Sequence, residues 1–184
     1  MHDDAIETLY EGRWLRLRRR GTWEYAERTH GAGMAVIIVA VTPDDSVLFV
    51  EQMRVPLGRR TIEMPAGLVG DEDDGDTLEA AARRELIEET GWDPARVEVL
   101  LTGPTSAGMS TERIAFVRAT GLRKVGDGGG VAGEAITVHE VPRIDAPRWL
   151  MGKQADGYEL DLKLWGGLWM LEREPDGTPF SPAD

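Results

Sequence analysis

The sequence predicts an α/β fold of the α+β type: a mixed β-sheet covered by helices, with a small N-terminal β extension. Three observations predict it. MAVIIVAV (34–41) is an unbroken apolar run of strand length, the pattern of a strand buried on both faces. Strand-like and helix-like stretches alternate along the chain without a regular βαβ period, which points to a mixed sheet rather than a purely parallel one. Thr77 to Thr90 reads as a helix with Gly91 as its C-terminal stop.

The other elements follow in order. WLRLRRR (14–20) and TWEYAER (22–28) flank Gly21 and predict a hairpin. TPDD (42–45) is a turn, and SVLFVEQ (46–52) a second core strand. TIEMPAGLV (61–69) is a short extended piece broken by Pro65 and Gly67. GDEDDGD (70–76) is an acidic loop. VEVLLT (97–102) and RIAFVRAT (113–120) read as strands joined by the loop GPTSAGMSTE (103–112). KVGDGGGVAGE (124–134) is glycine-rich and reads as mobile, and AITVHEV (135–141) is another strand. Two helices are expected near 144–152 and 159–172. In the second, Trp165 and Trp169 share helical spacing with Leu162 and Leu168 and read as core. The organisation is an extension at 1–32, a main domain at 33–172 and a flexible tail at 173–184.

Composition limits the function. The length of 184 residues suits one domain with a sizeable core. Lys plus Arg total 21 against 33 Asp plus Glu, a net charge of −12, which repels nucleic acid. A small anionic substrate would need local arginine or a metal to approach. No cysteine is present, so disulfides and thiolate metal sites are excluded, and three histidines form no zinc-type cluster. The first residues lack the basic and apolar regions of a signal peptide, and the longest apolar run is too short for a bilayer. A cytoplasmic protein without a membrane or nucleic-acid partner is expected.

The stretch RRELIEETGW (83–92) crowds Glu85, Glu88 and Glu89 near a helix end. At about 100° per residue, Glu88 lies about 60° to one side of Glu85 and Glu89 about 40° to the other. Leu78, Ala81 and Ala82 share that arc one or two turns earlier, so the cluster continues the inward face. Like charges at this spacing repel, and the C-terminal end of a helix is already partly negative. A hard divalent cation such as Mg²⁺ would compensate, with Arg84 holding Glu88 from the flank. On these ten residues alone, a solvated surface laced with pairs such as Glu79–Arg83 explains the pattern equally well.

Gly70, Arg84, Glu85, Leu86, Glu88, Glu89, Gly91 and Trp92 stand at the spacing of the signature box of the Nudix hydrolases, which cleave nucleoside diphosphates linked to another moiety. The sequence resembles that family from about residue 8 to about 172. The resemblance implies a Nudix-like α/β/α sandwich. One departure is Asp76, which stands where the box has its first glutamate, usually a supporting residue; GDEDDG is a short insertion.

EQMRVPLGRRTIEMPAGLV resembles the approach to the box in ADP-ribose pyrophosphatases and related nucleoside-diphosphate-sugar hydrolases. By that resemblance Glu85, Glu88, Glu89 and the Ala66 carbonyl bind Mg²⁺, with Mn²⁺ as the alternative ion, and Arg84 assists catalysis together with Glu88. SAGMSTE (106–112) resembles the loop on the sugar–phosphate side of the substrate, implicating Ser106, Met109 and Glu112. Arg54 and Glu63 are further substrate-binding candidates. GEAITVHEV (133–141) resembles the segment that supplies the base, making Glu134 the candidate, with Glu112 and Glu140 as rivals. The N-terminal segment resembles one exchanged between the subunits of a homodimer, with Trp23 among the aromatic residues available to stack on a base. The implied activity is hydrolysis of ADP-ribose to AMP and ribose 5-phosphate. The alternatives are GDP-mannose, since Asp161-Leu162-Lys163 is similar to a segment of GDP-mannose-hydrolysing relatives, another nucleotide sugar or dinucleotide, or a non-catalytic nucleotide-binding module.

Overall fold

The computed structural model describes residues 5–30, 33–70, 75–131, 133 and 135–181. Strands β1 (Ile6–Glu11), β2 (Leu15–Arg20) and β3 (Trp23–Arg28) form a three-stranded antiparallel sheet. The β2–β3 hairpin turns at Gly21 as expected, and β1 adds a strand to it.

The main body holds two four-stranded sheets. In the first, β4 (Met34–Ala40) lies beside β7 (Ala66–Leu68) and, in parallel, beside β10 (Arg113–Thr120), which pairs in turn with β9 (Arg96–Pro104). In the second, β5 (Ser46–Arg54) lies between β6 (Arg59–Glu63) and β12 (Thr137–Pro142), and β13 (Glu159–Leu160) runs parallel to β6. A short pair, β8 (Trp92–Asp93) and β11 (Arg123–Lys124), completes the strands among the described residues.

The period of two along β4 builds the layers. Val36, Ile38 and Ala40 join a core with Leu48, Ala115 and Val117 against Ala81, Ala82 and Leu86 of helix α1 (Leu78–Thr90). Ile37 and Val39 point the other way, into a core with Phe49, Ile62 and Phe116. That core is closed by Leu150 of α2 (Ala146–Ala155) and Leu164 and Met170 of α3 (Lys163–Met170). A strand pair apolar on both faces therefore needs helices on both faces, and the result is an α/β/α sandwich.

Two details depart from the sequence reading. Residues 159 and 160 are strand, not helix, because they complete the ladder of β6. α3 begins only at Lys163, whose N–H donates to Asp161 Oδ1 at 2.9 Å. Its inward stripe is Leu164, Gly167 and Met170, and a Cβ on Gly167 would sit 2.4 Å from Met64 Cε. Trp165 and Trp169 fall outside that stripe and stay 39% and 43% exposed, so they are not core. The segment after α3, read from sequence as a tail, turns back as a hairpin, with the Glu174 N–H donating to the Thr178 carbonyl.

One buried polar network locks the second sheet to α2. Glu51, 6% exposed on β5, meets Arg60 on β6, His139 Nε2 on β12 at 2.9 Å and Lys153 Nζ on α2 at 3.6 Å. Burial pushes the Glu51 carboxyl up, but the bonds from His139 and Arg60, with the nearby cationic charges, outweigh it and hold the pKa below the ordinary carboxylate value. A depressed carboxyl stabilises the folded state when ionised. That contribution is complete above the ordinary glutamate range and is lost as pH falls through the folded value. Glu51→Gln is expected to cost about 1–3 kcal/mol near neutral pH and to flatten the acid limb of the stability curve. Urea unfolding from pH 7 to pH 3 measures both; an unchanged acid limb would refute the assignment.

Candidate active site

Local chemistry builds the acidic helix end. The Thr77 hydroxyl caps α1 by accepting from the Ala80 N–H at 3.1 Å. At the other end Gly91 takes φ 73°, and its N–H donates to the Ile87 carbonyl. A Cβ there would lie 2.1 Å from the Gly126 carbonyl oxygen, so only glycine fits. The glycine-rich segment after β11, read from sequence as mobile, satisfies the other carbonyls of the last turn. Gly130 and Gly129 donate to Glu88 and Glu89, and Lys124 Nζ donates to Thr90 at 3.1 Å. All four terminal carbonyls of α1 are thus bonded, and the Lys124 charge offsets the negative end of the helix.

Glu85 and Glu89 face inward, as the helical spacing predicts, whereas Glu88, with 29% of its side chain exposed, sits at the margin. Glu89 is 5% exposed, and its Oε2 accepts from the Ala66 N–H at 3.0 Å. Glu85 lies against Gly67 so closely that a Cβ on Gly67 would be 1.9 Å from Glu85 Cδ. Pro65 and Gly67 make this approach possible. The chain leaves β6 at Glu63, lends the Pro65 carbonyl to the Ile38 N–H, and forms only three residues of β7. Arg84 ties the cluster together. Its Nη1 lies 2.9 Å from Glu85 Oε1 and 3.8 Å from Glu88 Oε2, and its Nη2 is 3.4 Å from Asp76 Oδ2. The shorter Asp76 therefore still reaches Arg84 and supports the carboxylates through it. Arg83 bonds Asp93 rather than Glu79.

This acidic end forms one side of a cleft of about 890 Å³. Two charge-paired arginines line the same cleft. Arg54 grips Glu63 with two bonds of 2.7 and 2.6 Å, and Arg28 meets Glu112 Oε1 at 2.8 and 2.6 Å. The Glu63 bonds raise the Arg54 pKa against the opposing effect of burial, and the charges of Glu89 and Asp161 add to it. Lys163 and Asp161 pair at a further wall, and Ile37 and Ile114 form an apolar patch.

Of the residues singled out from sequence, Arg54, Glu63, Ala66, Glu85, Glu89 and Glu112 line this one cleft. Glu88 joins them through Arg84. Trp23, Ser106 and Met109 do not line it within one chain. Trp23 is 65% and Met109 71% exposed. The Met109 carbonyl accepts from the Ala26 N–H at 2.8 Å, which ties the 103–112 loop to β3. Glu134 lies outside the described residues. Its rival Glu140 bonds Trp92 Nε1 and Lys124 away from the cleft. Arg28 is a cleft residue that sequence reasoning missed, because nothing local distinguishes it from the other arginines of the extension.

Among the described residues, no three carboxylate or imidazole side chains already converge as a metal cage. The donors nevertheless suit a hard divalent ion. They are oxygen-only, anionic and gathered beside β7, the short edge strand of the first sheet.

These features define an acidic cleft on an α/β/α sandwich, and the chain belongs to the Nudix family: the NUDIX domain model matches residues 31–152. Among curated proteins, the chain is similar to the ADP-ribose pyrophosphatase of Mycobacterium tuberculosis, 36% identical over 132 residues covering 66% of this chain and 60% of that one. It is 29% identical over 168 residues to the ADP-ribose pyrophosphatase of Escherichia coli O6:H1, covering 79% and 77%. A methanol dehydrogenase activator of Bacillus methanolicus is 36% identical over 97 residues, covering 53% and 51%. The chain thus spans about half to three-fifths of the length of two of these relatives. The crystal structure of an ADP compounds hydrolase shares the fold, with a TM-score of 0.64 at 19% identity over 83% of this chain and 92% of that one.

Proposed function

We propose that this chain is a Mg²⁺-dependent Nudix pyrophosphohydrolase acting on a nucleoside-diphosphate sugar, with ADP-ribose as the foremost substrate. The observation that carries this reading is the placing of Glu85 and Glu89 against Gly67 and Ala66 in the same cleft as Arg54 and Arg28. Glu85, Glu88, Glu89 and the Ala66 carbonyl would hold the metal, or Mn²⁺ in its place. When bound, it supplies charge neutralisation of the diphosphate and a lowered pKa for an attacking water.

The chain's own groups do the rest. Arg84 orients Glu85 and Glu88. Arg54, fixed by Glu63, and Arg28 offer guanidinium donors suited to phosphate. Glu134 is the proposed base. Glu112 is less suited, because Arg28 holds one of its oxygens. Attack of water on one phosphorus breaks its bond to the bridging oxygen and gives AMP and ribose 5-phosphate.

A homodimer is part of this proposal. Trp14, Leu15, Leu17 and Trp23 leave the N-terminal sheet with exposed apolar side chains, which suits exchange between subunits. A partner copy would also bring Trp23, Ser106 and Met109 toward a shared site. A cytoplasmic setting accords with the absence of cysteine. No helix among the described residues is long and apolar enough to cross a membrane.

A second reading, GDP-mannose as substrate, is favoured by Asp161 and Lys163 on the cleft wall. A panel of ADP-ribose, GDP-mannose, UDP-glucose and NADH, assayed by chromatography with Mg²⁺ and with EDTA, separates these. ADP-ribose is expected to yield AMP, and EDTA to abolish turnover. Cleavage of GDP-mannose instead would move the substrate and keep the chemistry. No cleavage of any member would favour a nucleotide-binding module.

A further inference from the structure

Arg54 is the last residue of β5, where the strand runs into an exposed turn. Its guanidinium is nevertheless held, because the side chain lies back along the sheet. In the β5–β6 register Arg54 stands opposite Arg59, Gln52 opposite Thr61 and Val50 opposite Glu63. To reach Glu63, the Arg54 side chain therefore passes the level of Thr61. Gln52, Arg54, Thr61 and Glu63 all line the cleft, as alternate residues on one face of a sheet should.

Glu63 is the buried member of the group, with 8% of its side chain exposed against 43% for Arg54. Its Oε1 accepts from Arg54 Nε at 2.7 Å and its Oε2 from Nη2 at 2.6 Å. A third donor is the Thr61 hydroxyl, which donates to Oε1. Its other acceptor, the Gln52 carbonyl, is farther away at 3.3 Å. Thr61 is itself buried and sits mid-strand, in register with Gln52 of β5 on one side and Glu159 of β13 on the other, so the hydroxyl comes from a rigid position. A carboxylate taken out of water depends on each of its donors. The second arginine of the cleft is held more loosely. Arg28 Nε and Nη2 both turn to one oxygen of Glu112, whose side chain is 26% exposed. Arg54 is thus the fixed arginine, and it is fixed through a chain that starts at Thr61.

We propose that Thr61 is a positioning residue for the diphosphate hydrolysis, an inference that rests on the activity proposed above. Its hydroxyl locks the Glu63 carboxylate, and Glu63 in turn presents the Arg54 guanidinium to the substrate in one orientation. Arg54 then meets the substrate without first losing side-chain freedom. The gain lies in affinity rather than in the chemical step.

The test uses the full chain. Thr61→Val removes the hydroxyl and keeps both the shape and the preference for a strand; Thr61→Ala takes its place if the valine variant does not fold. On whichever substrate the panel identifies, KM is expected to rise about 3–10-fold, the scale of immobilising one long side chain, with kcat within about twofold of the parent. Thr61→Ser, which returns the hydroxyl, is expected to restore KM. In ¹H–¹⁵N spectra the Arg54 Nε–H signal, identified by its loss in Arg54→Lys, is expected to be sharp in the parent and in Thr61→Ser and to broaden in Thr61→Val. An unchanged KM in Thr61→Val overturns the inference, as does a serine variant as impaired as the valine one, or a loss that falls on kcat alone. A signal equally sharp in Thr61→Val overturns the link from Thr61 to Arg54, whatever the parent turns over. A parent that turns over no member of the panel overturns the proposed activity, and this role with it; turnover by the parent with KM unmoved in the variant removes Thr61 alone.

Discussion

Glu85→Gln is expected to lower metal-dependent turnover by about 10²–10³-fold, the scale of removing several kcal/mol of charge stabilisation from the reaction. The same change should leave stability within about 1 kcal/mol of the parent. Two local effects oppose each other. Loss of one negative charge relieves repulsion among Glu85, Glu88 and Glu89, but it also weakens the 2.9 Å contact with Arg84. An amide keeps the shape and the acceptor oxygen, so the packing against Gly67 survives. Steady-state assays on whichever substrate the panel identifies, with a melting curve beside them, test the split. Full turnover in Glu85→Gln would remove this residue from the catalytic assignment. Glu89→Gln is the companion variant: its amide oxygen can still accept from the Ala66 N–H, so a fall in turnover there reports lost charge rather than lost structure.

Gly67→Ala should behave in the same divided way for a different reason. The added methyl would fall 1.9 Å from Glu85 Cδ, an impossible distance, so something must move. What must move is the Glu85 side chain from Cγ outward, since Cγ would also lie only 2.2 Å away, rather than backbone. The structural cost is therefore a side-chain rotation, on the order of 1 kcal/mol. The functional cost is large, because Glu85 is driven out of the cleft with its charge intact. Turnover close to that of Glu85→Gln, with little change in melting temperature, is the expected result. If Gly67→Ala keeps full activity, Glu85 does not work from the position it occupies beside β7. A variant that is simply unfolded would instead show that the 64–68 segment cannot relax.

The sequence was most readable where structure is set locally. Thr77 and Gly91 bound α1 as expected, because a hydroxyl cap and a left-handed glycine act within one turn. β10 runs from Arg113 to Thr120, as its apolar pattern indicates. The inward facing of Glu85 and Glu89 followed from helical geometry alone. Reading failed where a partner distant in sequence decides. β13 is only two residues long and exists because β6 offers an open edge, which no pattern at 159–160 reveals. Trp165 and Trp169 look like core by spacing, but the stripe that meets the sheet is Leu164, Gly167 and Met170, chosen by where α3 starts and by the close approach to Met64. The glycine-rich run 124–134 has the composition of a loose loop. Its described part is instead held by backbone bonds to the end of α1, which composition does not encode.

For the site, the sequence by itself determined which groups the proposed chemistry draws on: three carboxylates on one helical arc, an arginine beside them, and a proline–glycine break that shortens strand β7. Residue type and spacing suffice for that, because helix geometry is the same in every protein. Only the tertiary structure decided what those groups face. Arg28 reaches Glu112 across 84 positions of sequence, and Glu89 reaches the Ala66 N–H across 23. Gly67 owes its identity to the carboxylate packed on it. Contacts of this kind depend on how layers pack, and packing is a property of the whole chain rather than of any stretch within it.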